Sequence, residues 1–150
     1  MYGDKGEVPE GEYVIPIGVA EIKREGKDVT IVSFGKIIKE AYKAADELEK
    51  EGISCEVIDL RTVRPMDHDT ILNSVKKTNR LVILEEAWPF GNVATEITYQ
   101  VQSQAFDYLD APIVKINTAD TPAPYSPVLL AEWLPNSDDV VNAVKKVMYK

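Results

Sequence analysis

From residue 17 onward the apolar and polar positions of the chain fall into two alternating rhythms. IGVAEIKREG (Ile17 to Gly26) trades apolar for polar positions almost residue by residue, the pattern of a strand exposed on one face at a sheet edge. DVTIVSFG (Asp28 to Gly35) is denser in β-branched residues and suits a more central strand. Over Lys36 to Glu51 the period changes: Ile37, Ala41, Ala44, Ala45 and Leu48 recur at helical spacing with charges opposite, and Gly52 ends the run. ISCEVIDL (Ile53 to Leu60) predicts a strand, and Asp67 to Thr78 a helix with Asp67 or Asp69 as its cap. RLVILEEA (Arg80 to Ala87) is nearly all apolar, as a strand covered on both faces must be. A helix over Phe90 to Leu109 and a strand over Ala111 to Asn117 follow. TADTPAPYSPVLLAEWLPNS holds Pro122, Pro124, Pro127 and Pro135 and predicts a long ordered loop. Ser137 to Lys150 closes the chain as a helix with acidic residues at its start and lysines near its end.

Alternating strands and helices with apolar central strands predict a mostly parallel sheet between helical layers. Residues 1–16, polar and holding Gly3, Gly6, Pro9 and Gly11, predict a linker or arm ahead of a domain at 17–150. At 150 residues the chain is long enough for that domain to bury a core unaided. No apolar run reaches the roughly 18 residues of a membrane span, and the N-terminus lacks the layout of a signal peptide.

Charge narrows the partners. A formal net charge of -8 argues against nucleic acid, whose phosphates would meet a repulsive surface, and favours a basic partner. One cysteine, Cys55, and one histidine, His68, exclude an internal disulfide and any multi-cysteine or multi-histidine metal site. Cys55 reads as a buried core thiol and His68 as a helix-start residue.

In a parallel sheet, ligands and partner surfaces gather at the carboxyl ends of the strands. Three polar clusters are expected there: Ser33 to Lys36, Asp59 to Arg64 and Glu85 to Asn92. SFGK and PFGN carry one glycine each, so neither a dinucleotide fingerprint nor a P-loop is present, and no G-x-S-x-G elbow occurs. Glu85 and Glu86, neighbours in a strand, point to opposite faces, so at most one lines a given site. Arg61 and Arg64 stand where the strand EVIDL leaves the sheet and suit an anion or a neighbouring domain. Arg64 precedes Pro65, which biases its backbone to extended conformation, and its side chain is expected to help hold the loop. Asp107 and Asp110 in FDYLDAP lie where carboxylates oppose a helix dipole, which leaves a solvated helix end or a docking patch for a basic partner.

REGKDVTIVSFG, EVIDLRTVRPMD, KKTNRLVILEEAWPFGNV, AFDYLDAP and TADTPAPY, in this order, resemble the C-terminal domain of the transketolase-like, thiamine-diphosphate-dependent enzymes. Within that family they are most similar to beta subunits of the pyruvate dehydrogenase first component, with the branched-chain 2-oxoacid dehydrogenase beta subunits as near neighbours. The resemblance implies a three-layer α/β/α sandwich with a five-stranded, mostly parallel sheet and an antiparallel edge strand. It also implies thiamine diphosphate and magnesium as cofactors of the complete enzyme, with an N-terminal pyrimidine-binding domain outside these residues supplying a catalytic histidine and the glutamate that activates the thiamine ring. This domain alone would then bind neither and would be non-catalytic. The implied partners are an alpha subunit, a second beta subunit and the subunit-binding domain of the dihydrolipoyl acyltransferase. Asp110 and the terminal carboxylate at Lys150 are the implied docking groups, and Arg61 the implied contact to a neighbouring domain. The implied location is the bacterial cytoplasm or the mitochondrial matrix. A stand-alone α/β module docking a basic partner through Asp107 and Asp110 is the other reading.

Overall fold

The computed structural model describes residues 5–150. Residues 5–16 form neither helix nor strand, and the first four residues of the expected linker lie outside the described ones. Five strands form one sheet: β1 (Glu21–Arg24), β2 (Val29–Ser33), β3 (Cys55–Asp59), β4 (Leu81–Leu84) and β5 (Val114–Ile116), in the order β1-β3-β2-β4-β5. β1 runs antiparallel to β3, with Glu21 opposite Asp59; every other pairing is parallel. The helices are α1 (Ile38–Lys50), α2 (His68–Thr78), α3 (Val93–Ala105), α4 (Pro127–Trp133) and α5 (Ser137–Val147).

Strand alternation explains the layers. Val29 and Ile31 point to the face covered by α1 and α5, where they pack with Ala41, Leu48 and Val144. Val32, Leu81 and Ile83 join Val75 of α2 and Ile97 of α3 on the other face. Thr30, buried on this second face, has its hydroxyl 2.6 Å from that of Ser74 and 2.7 Å from that of Thr78, so the polar atom costs little. Of the apolar stripe predicted for the first helix, α1 buries Ala41, Ala44, Ala45 and Leu48 together with Ile38, while Ile37 is buried in the 3-10 turn Gly35–Ile37 just before it.

The structure departs from the expected elements in three places. The first strand is shorter because Gly18, at φ 78°, turns the chain and ties it to a loop beyond β3. The helix after β4 stops at Ala105, and Phe106–Tyr108 tighten into a 3-10 turn. The proline-rich stretch contains α4, whose Pro127 occupies the first turn, where the missing N–H costs no hydrogen bond. Among the described residues no helix is long and apolar enough to cross a membrane.

The helix following β2 covers one face and the helix following β4 the other. The carboxyl ends of these two adjacent strands therefore open a crevice between departing loops.

Candidate functional site

The crevice between β2 and β4 is divided by its two glutamates, as strand geometry requires. Glu86 lines a hollow of about 240 Å³ with Lys36, Lys39 and Glu40 on the α1 side. Glu85 lines one of about 480 Å³ with Phe34, Trp88 and Phe90 on the α3 side. Glu85 is fully buried and already employed: its Oε2 accepts from the Ala94 N–H at 3.2 Å and its Oε1 from Asn117 Nδ2 at 2.9 Å. Burial pushes its carboxyl above the ordinary value of 4.5, against the opposing pull of those hydrogen bonds. The residue thus anchors α3 to β5. Because the folded state holds this proton more tightly, its contribution to stability falls as pH rises from about 4.5 through the raised value. Glu85→Gln, uncharged at every pH, is expected to raise the thermal midpoint at pH 8 and leave it close to wild type at pH 4 in scanning calorimetry.

Around this crevice two tryptophans brace the proline-rich stretch. The indole N–H groups of Trp88 and Trp133 both donate to the Thr121 carbonyl, at 2.9 and 3.0 Å. Asn92 donates to the Trp88 carbonyl at 2.6 Å and caps α3 by accepting from the Thr95 N–H at 2.9 Å.

The loop after β3 shows what Arg61 and Arg64 do within the chain. Arg61 has a left-handed backbone, φ 56°, and its N–H donates to Asp59 Oδ1 at 3.0 Å. Its guanidinium donates to Glu21 on β1, so Arg61 has a partner in this chain. Arg64 does not hold the loop: its exposed side chain makes no hydrogen bond or ion pair among the described residues. It lines a hollow of about 520 Å³ with Val63, His68 and Glu96. The two arginines therefore serve different surroundings. The loop is held instead by Thr62, whose hydroxyl accepts from the Gly18 N–H at 2.9 Å and donates to the Pro65 carbonyl at 3.0 Å.

Asp67 adds a second stitch, accepting from the Ala20 N–H at 2.9 Å while it caps α2 through the Thr70 N–H at 3.0 Å. Burial raises its carboxyl, but these donors outweigh it and the net shift is downward. The cap was legible in sequence; the bond to Ala20, 47 residues away, was not. His68 begins α2, with Nδ1 buried and unpartnered among the described residues.

The acidic residues lie at the opposite, amino-terminal end of the sheet. Arg80, just before β4, organises them: its Nη2 stands 3.2 Å from Asp110 Oδ2, and its Nε donates to the Val147 carbonyl at 3.1 Å. Tyr149 closes the corner by donating its hydroxyl to the Asp110 carbonyl at 3.3 Å. This clamp brings Asp110 together with Val147 and Tyr149 at the C-terminal end of α5. Asp107, in the 3-10 turn, is exposed and without an ion-pair partner among the described residues. Beside it Lys76 lies over the Tyr108 ring, 5.7 Å from its centre. Sequence reasoning missed Arg80, whose only local signal is its place after Asn79, the left-handed residue ending α2.

Comparison with known proteins finds the family model for the transketolase C-terminal domain matching residues 18–140. A pyruvate dehydrogenase E1 component subunit beta from Rhizobium meliloti is 55% identical over the whole chain, which spans 33% of that relative. The mitochondrial counterpart from Dictyostelium discoideum is 52% identical over 91% of the chain and 38% of its own length. An acetoin:2,6-dichlorophenolindophenol oxidoreductase subunit beta from Bacillus subtilis is 47% identical over 98% of the chain and 43% of its own length. The chain thus spans less than half of each of these relatives. Among solved structures, a split-gene transketolase described as an inactive beta4 tetramer superposes with a TM-score of 0.80 and 29% identity, over 96% of this chain and 46% of its own.

Proposed function

Because the chain belongs to the transketolase C-terminal domain family, we propose that it is the C-terminal domain of a pyruvate dehydrogenase beta subunit, serving assembly and docking within a complex that decarboxylates pyruvate oxidatively and acetylates lipoyl groups. Its partners in this reading are an alpha subunit, a second beta subunit and the subunit-binding domain of the dihydrolipoyl acyltransferase. Thiamine diphosphate with magnesium would supply the decarboxylation chemistry, and the residues here do not fit that pair. Among the described residues no group of three or more His, Cys, Asp or Glu could hold a metal ion, and both oxygens of buried Glu85 are already hydrogen-bonded. In this reading the domain contributes binding surfaces to the complex. Such a complex resides in the bacterial cytoplasm or the mitochondrial matrix.

The observation that carries the docking role is the Arg80 clamp. It fixes the half-exposed Asp110 carboxylate, paired with Arg80, beside Val147 and Tyr149, where a cation of a basic partner can share it. Asp107 extends the same corner into solvent. At the far end of the sheet, Arg61 steadied by Glu21 and Arg64 reaching outward face the neighbouring domain, as guanidinium groups suited to carboxylates and carbonyls.

The test is a calorimetric titration with the acyltransferase's subunit-binding domain. Binding is expected to weaken by about 10- to 100-fold in Asp110→Ala, as for removal of one partner of a close interfacial charge pair. Unchanged affinity would remove Asp110 from the docking surface. Turnover of pyruvate by this chain alone would overturn the non-catalytic assignment.

A further inference from the structure

The hollow of about 240 Å³ on the α1 side of the sheet holds opposite charges that do not pair. Lys36 and Glu86 both line it, and neither side chain makes an ion pair or hydrogen bond among the described residues. Its other charged residues are Lys39 and Glu40, and Glu40 accepts from Lys43 Nζ at 2.7 Å. A simple anion in this hollow meets Glu86 and a simple cation meets Lys36. A ligand carrying both signs satisfies both groups. The rest of the lining is mainly apolar, with Ile37, Leu134 and Pro135 among it.

Two further observations place the anionic end of such a ligand. Asp67, Asn92 and Asn136 cap α2, α3 and α5, but the chain enters α1 through the 3-10 turn Gly35–Ile37 with no capping side chain. Uncapped N–H groups at a helix start attract a carboxylate. The approach is open, since a Cβ on Gly35, at φ 69°, would meet nothing within 4 Å. Directly before this turn Ser33 is fully buried, and its Oγ has no partner among the described residues. Val29 and Ile31 point to the α1 side, so Ser33, next in the alternation, points there too.

We propose that this hollow binds an apolar α-amino acid. Its carboxylate accepts from Lys36, from the N–H groups of the 3-10 turn and from the Ser33 hydroxyl, while its ammonium donates to Glu86. Its side chain lies against Ile37, Leu134 and Pro135. The hollow is smaller than the roughly 300–1,000 Å³ of pockets for drug-sized molecules, which suits a ligand of a few carbons. The site shares no residue with the Asp110 corner at the opposite end of the sheet, so it goes beyond the docking role and stands or falls apart from it.

Calorimetric titration of the chain with L-leucine tests it. The comparison compounds are 4-methylpentanoate, 3-methylbutylamine and glycine, which lack the ammonium, the carboxylate and the apolar side chain in turn. Leucine is expected to bind with a Kd of about 1 mM or below, and each of the three at least about tenfold more weakly. Lys36→Gln and Glu86→Gln should each weaken leucine about tenfold or more. Glu86→Gln should also narrow the advantage of leucine over 4-methylpentanoate, because the ammonium loses its partner. Ser33→Ala is expected to weaken leucine binding yet raise the thermal midpoint of the ligand-free chain, since it removes a buried, unpaired hydroxyl. Lys146→Gln, at the exposed end of α5, should leave binding unchanged. No binding of leucine up to about 10 mM, equal affinity for leucine and 4-methylpentanoate, or binding indifferent to both Lys36→Gln and Glu86→Gln overturns the site.

Discussion

Gly26→Ala is expected to destabilise the domain by about 4 kcal/mol or more, enough to abolish a cooperative urea transition at 25 °C if wild-type stability is typical of small domains. The reason is space. A Cβ at residue 26 would lie 2.1 Å from the Glu56 nitrogen, 2.2 Å from the Cys55 carbonyl carbon and 2.6 Å from its oxygen. These are backbone atoms of β3, which cannot retreat without breaking its parallel pairing with β2. The turn between β1 and β2 could move away instead, at the expense of the Gly26 N–H bond to Glu56 and the antiparallel pairing of β1 with β3. Gly6→Ala is the matched control, since a Cβ there meets nothing within 4 Å, and its stability should stay within about 0.5 kcal/mol of wild type.

The second large effect is expected at Lys77. Glu56 is completely buried in β3, on the same face as Thr30, and Lys77 from α2 donates to its carboxylate while also reaching Glu25 at 3.1 Å. Burial raises the Glu56 carboxyl, but Lys77, Ser74 and the Gly26 N–H outweigh it and hold it below its ordinary value of 4.5. Removing the ammonium strands a buried carboxylate with one oxygen, Oε1, already lacking a partner among the described residues. Lys77→Met keeps the aliphatic stem and is expected to cost about 2 kcal/mol at pH 7, a figure reduced from the fully buried case because Lys77 is partly exposed.

The pH dependence identifies the cause. A carboxyl with a lowered folded-state pKa contributes stability that is complete above 4.5 and is lost as pH falls through the lower folded value. The variant forfeits that contribution at neutral pH, and once Glu56 is protonated in both proteins the difference closes. Urea midpoints that stay equally far apart at pH 7 and well below pH 4 would assign the loss to packing instead.

Much of the architecture followed from local pattern. The residues proposed for the buried side of the first helix are buried, and the nearly all-apolar run at Arg80 to Ala87 holds the shorter β4 (Leu81–Leu84), every residue of it buried. Adjacent Glu85 and Glu86 separate to opposite faces because strand side chains alternate. The prolines of 118–136 misled for a physical reason: as breakers they imply loop, yet Pro127 stands in a first helical turn, where the same ring is favourable. The assignment of the β3 loop to Arg64 failed because Thr62 and Asp67 hold it through backbone groups of residues 18 and 20, contacts that exist only once β1 lies against β3.

Sequence by itself determined the alternation of strands and helices, the helix that each apolar stripe would bury, the capping role open to Asp67 and the family to which the chain is similar. These depend on periods and side-chain chemistry over a few residues, which the fold leaves intact. Tertiary structure alone decided that Arg61 pairs with Glu21, that Arg80 joins Asp110 to Val147 in the last helix, and that Lys77 reaches the buried Glu56. Each joins residues far apart in sequence. No local pattern encodes that geometry before the sheet has assembled.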